Sequence, residues 1–440
     1  MSNVNILRAV ENIRSGTSIY TPLIEVVVNA IQAIESTGRD DGKVTIEIRR
    51  ANQAKLDGSK PEIEGFFVHD NGEGFTEENR NAFDTLYTDR RIDEGGKGFG
   101  RFTCLKYYHD VFVDSEYKEG EKYYKRTFKM GKKEEIIIEE QLEECKAKDN
   151  KTTVKLLSPR SEMPEKTTTS LSRTLVEKLL PFFIDVKRTC PLVVLIESDG
   201  SDEVILNEYL QKANNPLIQE ATDIDGNFVI SSSDKDHLFT ARVFRIYSSK
   251  TKVSKISLVA HRREVTSVSL HNYIPEFAEE FYDENAATDG EKGRCFIVKV
   301  YVLGNYLDEH VSLERGGFEF QREQDLLYGI SQKDIEEEAS VFGQEAVQLD
   351  IAERSSRKAE SIQSYVTEQA PWYNSVLKDV DFSEFPYNPT EDQIESRLHQ
   401  HNHRRELEIR SEVKGILKND KFDEVQKSAT EIVSKLSSSS

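Results

Sequence analysis

"PLIEVVVNAIQAIES", residues 22–36, reads as an amphipathic helix that carries on its polar margin the two side chains on which the rest of the chain's reading turns. Leu23, Ile24, Val27, Val28, Ile31 and Ile34 recur at helical spacing, Pro22 suits a first turn, and Thr21 is placed to cap it. Glu25 and Asn29 stand one turn apart and so face the same side. A carboxylate and a carboxamide held in this way can divide the labour of a hydrolysis, with the Asn oxygen on Mg²⁺ and the Glu as base for an in-line water. Two polar residues at the edge of a buried helix would read the same.

Outward from this helix, "KVTIEIRR" (43–50) alternates as a strand, and "GFFVHDNGEGF" (65–75) is a strand that breaks into a turn at Asp70-Asn71-Gly72. A carboxylate at such a strand end can accept from the exocyclic amine of adenine and would repel the acceptor that guanine presents there. A buried polar group left unpaired costs about 1–3 kcal/mol, enough to select the base by about tenfold or more. A solvated Asp in an Asn-Gly turn is the plainer alternative. Further on, "GGKGFGRFTCLKYY" (95–108) sets four glycines within six residues beside Lys97 and Arg101 and then runs into a helix. Permissive backbone at a helix start makes an anion site. Neither the Walker A order nor the dinucleotide fingerprint fits: no Ser or Thr follows a Gly-Lys pair, and the preceding "DTLYTDRRIDE" is polar and not a strand.

The whole chain sets the bounds. Its 440 residues, 37% of them hydrophobic, suffice for about three domains with ordinary cores. A formal net charge of −20 excludes whole-surface attraction to nucleic acid or anionic lipid and leaves room for a local basic patch. No stretch is long and apolar enough to span a membrane, and the N-terminal residues lack the order of a signal peptide, so a cytoplasmic location is expected. The four cysteines, at 104, 145, 190 and 295, are too far apart for a CxxC site and read as buried thiols.

Strand-like "YHDVFVDSEY", "YYKRTFKM", "EEIIIEEQ" and "TTVKLL" follow the glycine cluster, giving an α+β first domain over 1–160 with a mostly antiparallel sheet. A second α+β block, 161–328, opens with the helical "SLSRTLVEKLLPFF" and continues through "PLVVLIES", "HLFTARVFRIYS", "SKISLVAHRREV" and "CFIVKVYVLG". Residues 329–433 are a charged helical region, with "ASVFGQEAVQLDIAERSSRKAESIQSYV" as one pattern and "EDQIESRLHQHNHRRELEIRSEVKGIL" as another, and 434–440 read as a disordered tail. His399 and His403 share a helical face without acidic or cysteine partners nearby.

The order of these pieces resembles the GHKL ATPase superfamily, which includes DNA gyrase B subunits, ninety-kilodalton heat-shock chaperones, histidine kinases, MutL and MORC proteins. "EVVVNAIQA" resembles the family's N-box, "DNGEG" its adenine-contacting motif and "GGKGFG" its G-x-x-G-x-G lid, formed by Gly95, Gly98 and Gly100. The resemblance implies a Bergerat-type ATP-binding α/β sandwich, a transducer-like α+β domain after it and a helical C-terminal segment. It implies ATP and Mg²⁺ as cofactors, Glu25 as general base, Asn29 as the Mg²⁺ ligand, and Asp70 on adenine. Gly72 and Gly74 would admit the nucleotide against the backbone, and lid residues Gly95, Lys97, Gly98, Phe99, Gly100 and Arg101 would bind phosphate. In "KTTV" the family's Gly-Thr pair is replaced by Lys151-Thr152, and Thr152 would assist Asp70.

Within the superfamily the chain is most similar to MutL- and MORC-like members. "LVAHRREV" (258–265) resembles the MutL strand F-V-N-G-R-x-V, and "DEHVSLERGGFEF" (308–320) aligns with D-V-N-V-H-P-x-K-x-E-V-R-F, placing Arg315 where a γ-phosphate-sensing lysine stands. The implied activity is slow ATP hydrolysis coupled to ordering of the 75–103 lid and N-terminal homodimerisation, in DNA transactions or bacterial genome defence. A DNA or protein partner is expected at the C-terminal region, and no membrane. The alternative is a non-hydrolysing, nucleotide-gated scaffold whose helical C-terminus binds a protein; a degenerate, empty site is a third.

Overall fold

A computed structural model describes residues 17–51, 60–85, 100–164, 166–185, 188–211, 217–232, 235–247, 251–283, 293–312, 317–320 and 330–416. The fold is mixed α+β and falls into two compact units. The first comprises residues 1–219 with 258–266 and 303–320, the second 220–257, 267–302 and 321–440.

In the first unit, α1 (Thr21–Glu35), β1 (Lys43–Arg50) and β2 (Ile63–Asp70) are followed by α2 (Glu77–Asp84), α3 (Gly100–Tyr107) and strands β3 (Tyr108–Glu119), β4 (Lys122–Met130), β5 (Ile137–Cys145) and β6 (Lys151–Pro159). Next come α4 (Thr168–Phe183), β7 (Leu192–Glu197) and β8 (Glu203–Ile205). The eight strands form one sheet in the order β5-β4-β3-β6-β2-β1-β7-β8. Strand alternation turns Val44, Ile46, Ile48, Phe66, Val68 and Leu156 to one face, where all are fully buried. Helix α1 lies against β1 and β2 and buries Leu23, Val27, Ile31 and Ile34, while α4 covers β7 and β8 with Leu171, Leu175 and Leu179. Each such side chain contributes about 1.5–3 kcal/mol. The other face carries Glu47, Arg49, Phe67, His69 and Lys155, all partly exposed.

Two local expectations are corrected. Thr21 is the first residue of α1 and not its cap: the N-cap position is Tyr20, without a side-chain bond, and the Thr21 hydroxyl accepts from Ser18 N at 2.9 Å. Only Cys104 is buried, while Cys145, Cys190 and Cys295 are partly exposed. The stretch placed in the second block as "PLVVLIES" is β7, which runs parallel to β1 in the first sheet, Lys43 opposite Leu192 through Ile48 opposite Glu197. An all-apolar strand matches a position between two neighbours under a helix, wherever it falls in the chain.

At this junction Glu197, nearly fully buried, receives Arg50 on both carboxylate oxygens at 2.8 Å, together with Lys60 at 2.8 Å and the Thr168 hydroxyl at 2.7 Å. Burial works against its charge, but the bonds from Arg50, Lys60 and Thr168 outweigh that and hold its pKa at about 2.

A second sheet is ordered β10-β11-β15-β12-β13, formed by β9 (Ile218–Glu220), β10 (Asn227–Ser231), β11 (Asp236–Tyr247), β12 (Lys255–Ala260), β13 (Arg263–Ser269), β14 (Phe281–Asp283) and β15 (Arg294–Leu303), with β14 beside β15 and β9 beside β11. The run "SKISLVAHRREV" is thus two strands joined by His261 and Arg262, both at positive φ (46° and 60°), a tight hairpin turn made without glycine. After the short α5 (Asn305–His310), the C-terminal helices are α6 (Gln332–Glu345), opened by a Ser331/Asp334 capping box, α7 (Gln348–Glu368) and α8 (Glu391–Ile416). The first of the two charged helical patterns is therefore broken at Ala346-Val347. Ile362, Val366, Tyr373, Val376, Phe385, Ile394 and Leu398 form a small core among the last two helices and their connection. Among the described residues no helix is long and apolar enough to cross a membrane.

The Glu197 cluster sets a stability test. Glu197→Ala strands Arg50 in the interior and is expected to cost about 3–5 kcal/mol in urea unfolding. Because the folded pKa lies below the ordinary 4.5, the carboxylate's contribution is present above that value and is lost as pH falls from 4.5 towards about 2. Acid titration of wild type should show this loss, and Glu197→Ala should lack it.

Candidate nucleotide site

Asp70 ends β2 at the point where the strand must turn, and the sheet register sets it opposite Thr152 of β6, which is in turn opposite Ser115 of β3. The Ser115 and Thr152 hydroxyls are 2.9 Å apart, and Ser115 Oγ accepts from Phe75 N at 3.0 Å. Asp70 is 7% exposed. Its Oδ1 accepts from Gly72 N at 3.0 Å, the one hydrogen bond it makes among the described residues. Burial raises its pKa to about 7, against the opposing pull of the Gly72 bond.

The turn that follows is clamped from both sides. Glu73 N donates to Ala33 O of α1 at 3.0 Å. A Cβ on Gly72 would stand 2.7 Å from that same carbonyl oxygen, and one on Gly74, at φ +81°, would stand 2.6 Å from Tyr117 Cβ. Arg39 donates to Asn71 O at 2.5 Å and pairs with Asp149 at 2.9 Å, while Asn150 donates to Gly72 O at 3.0 Å. Asn71 itself bonds Lys43 N and Asp41 O. The glycines are thus required by close approach to α1 and β3, and the carboxylate is positioned before any ligand arrives.

On α1, Asn29 is exposed and Glu25 is 22% exposed by its side chain. Glu25 Oε1 accepts from Arg263 Nη1 at 2.6 Å. Arg263 opens β13, in the segment 258–266 that belongs to the first unit. Its neighbour Arg262 spans both oxygens of Glu35 at 2.6 Å and lies 4.6 Å from the Phe182 ring, and His261 N donates to Asp308 at 2.6 Å.

The sequence-derived residues therefore divide. Asp70, Gly72, Gly74 and Thr152 are brought together at one end of the sheet, and Glu25 and Asn29 share a face of the helix packed on it. Gly95, Lys97, Gly98, Phe99 and Arg315 lie outside the described residues. Gly100 opens α3. Arg101, expected among the phosphate contacts, is buried, and its guanidinium donates to the carbonyls of Ala82, Phe83 and Thr85 at the end of α2, which satisfies carbonyls that a helix terminus leaves open. Burial lowers its pKa to about 10.

Sequence reasoning missed Ser115, the Arg39–Asp149–Asn150 clamp and Arg263. Only Arg263 carried a signal, two consecutive arginines in a segment already similar to MutL. The described residues bring no three His, Cys, Asp or Glu side chains into a metal-holding group. A cleft of about 710 Å³, lined by Arg50, Lys60, Arg160 and Lys166 among others, lies at the opposite ends of β1, β2 and β6 from Asp70.

Residues 16–134, spanning α1, the Asp70 turn and the glycine cluster, match the family described as histidine kinase-, DNA gyrase B-, and HSP90-like ATPase. The chain carries a GHKL ATPase domain. ATP binding and hydrolysis are the general activities of that family. Among solved structures, the chain is similar to one titled as the N-terminal domain of a DNA repair protein, at 11% identity over 79% of this chain and 99% of that one, with a TM-score of 0.42. It is also similar to the ATPase region of Saccharomyces cerevisiae topoisomerase II, at 12% identity over 76% and 85%, with a TM-score of 0.38. No curated protein matches by sequence.

The close approach at Gly72 yields a second test. Gly72→Ala forces a methyl into the Ala33 backbone and is expected to cost about 1–3 kcal/mol, read by urea unfolding. The expanded turn should also weaken nucleotide binding, read by calorimetric titration.

Proposed function

We propose that the first unit binds Mg-ATP and hydrolyses it slowly, with the triphosphate state acting as a conformational switch. The observation that carries this reading is the buried Asp70 carboxylate, which keeps Oδ2 without a partner among the described residues beside a turn held open by Gly72 and Gly74. Such a group suits the exocyclic amine of adenine, and Thr152, bonded to Ser115, stands next to it. Asn29 supplies the hard oxygen donor that Mg²⁺ prefers; a single protein ligand is in keeping with an ion that takes most of its shell from phosphates and water, and it would neutralise phosphate charge. Glu25, one turn away, takes the proton of the attacking water as that oxygen bonds to the γ-phosphorus and the bond to ADP breaks.

By resemblance, Gly95, Lys97, Gly98, Phe99 and Gly100 supply phosphate contacts and Arg315 a second cation near the γ-phosphate. The same resemblance motivates Mg-ATP-dependent homodimerisation and a role in DNA transactions or genome defence. The ion pair of Arg263 with Glu25 supports a second reading, a nucleotide-gated scaffold without turnover, since it occupies an oxygen the base would need.

Glu25→Gln is expected to keep Mg-ATP affinity within about threefold and to lower phosphate release by about 100-fold or more. Wild type that binds Mg-ATP and releases no phosphate, with or without DNA, establishes the scaffold instead. Release per chain that rises with protein concentration indicates dimer-coupled turnover. Asp70 provides a pH test. With its pKa near 7, the carboxylate that the adenine amine prefers is depleted below neutrality, so ATP affinity should fall from pH 8 to pH 6. In Asp70→Asn the affinity should be lower and flat over that range.

A further inference from the structure

We propose that Arg263 is a positioning residue with two alternative partners: it holds the Glu25 carboxylate while no triphosphate is present, and transfers its guanidinium to the terminal phosphate when one binds, freeing Glu25 to act as base. This rests on the proposed ATPase reading and names a residue that reading does not use.

Three observations support it. The pair is short and charged, 2.6 Å between Arg263 Nη1 and Glu25 Oε1, with side chains only 19% and 22% exposed. A charge-assisted bond of this kind occupies one of the two oxygens that could take a proton from water. Second, Arg263 donates to Glu25 and keeps a buried Nε with no hydrogen-bond partner, so the pair with Glu25 leaves the guanidinium incompletely satisfied. Third, the turn presenting Arg263 is fixed independently of Glu25. Arg262 grips Glu35 with two bonds at 2.6 Å and approaches Asp185 at 3.7 Å, and His261 N is held by Asp308. The side chain of Arg263 can therefore change partners without moving its backbone.

The direction of exchange follows from charge. A terminal phosphate carries more negative charge than one carboxylate and offers three acceptor oxygens, two of which a guanidinium can bridge, so it outcompetes Glu25 for a guanidinium within reach. Asn29, the residue assigned to the metal that accompanies the phosphates, is one helical turn from Glu25 on the same face. A diphosphate lacks the group that would draw Arg263 away, so Glu25 remains engaged. After transfer, water oxygen bonds to phosphorus, its proton passes to Glu25, and the electron pair of the broken bond leaves with ADP.

The test is a double-mutant cycle of Glu25→Gln and Arg263→Gln on the full chain, read as thermal stability with no nucleotide and again with a non-hydrolysable ATP analogue plus Mg²⁺. Arg263→Lys serves as second variant if Arg263→Gln melts before the ligand can be added. Coupling between the two positions is expected without nucleotide and should vanish with the analogue. In calorimetric titrations Arg263→Gln should weaken the triphosphate analogue by about tenfold or more and leave ADP within about twofold. Coupling that persists with the analogue, or equal weakening of both nucleotides, overturns the exchange while leaving the ATPase reading intact. Wild type that binds no Mg-ATP overturns both.

Discussion

Withdrawing the Asp70 carboxylate from water costs free energy that its surroundings must offset, because a buried charge without partners is strongly disfavoured. Among the described residues one backbone donor, from Gly72, reaches it and no cation stands beside it, and the group accordingly titrates near neutrality. Everything around it serves to hold that turn. Gly72 lies against the Ala33 carbonyl, Gly74 against Tyr117, and Arg39 with Asp149 and Asn150 grips the turn's carbonyls. The sheet register then carries the same end of the structure outward to Thr152 and Ser115. A site for an adenine base is consistent with this arrangement because one carboxylate oxygen has no partner among the described residues.

Much of the first unit was legible because local pattern and tertiary position agree there. Residues 22–36 have a helical period and a proline for the first turn, and the helix runs over 21–35; "KVTIEIRR" alternates and forms β1 over the same residues. The Asp-Asn-Gly turn was legible for the same reason, since its chemistry is contained within five residues. Strand β7 was not assigned correctly, because nothing in "PLVVLIES" records that its partner lies some 150 residues earlier. The hairpin at 255–269 was hidden differently, since His261 and Arg262 take the left-handed positions that glycine or asparagine would have announced.

The arginines show the limit most clearly. Arg101 stood in a glycine-rich, phosphate-like stretch and was read as a ligand contact, yet its donors close the end of α2. Arg263 carried only the signal of a doubled arginine in a MutL-like segment and reaches the candidate base 238 positions earlier. A guanidinium on a long stem can serve either purpose, and the choice is set by which carbonyls or carboxylates the fold leaves within its radius. Composition and spacing describe donors, whereas acceptors at long sequence separation appear only once the chain is folded.

Placing β7 beside β1 has a consequence for biogenesis. The sheet that carries Asp70 cannot close until β7 and β8, ending at Ile205, have emerged from the ribosome, and the Arg262–Arg263 turn that fastens α1 emerges later still. At about 5–20 residues per second, the edge of β1 that pairs with β7 stays open on the nascent polypeptide for roughly ten seconds or more. Vectorial synthesis thus leaves an unpaired strand edge, a template for pairing with other chains, through that interval.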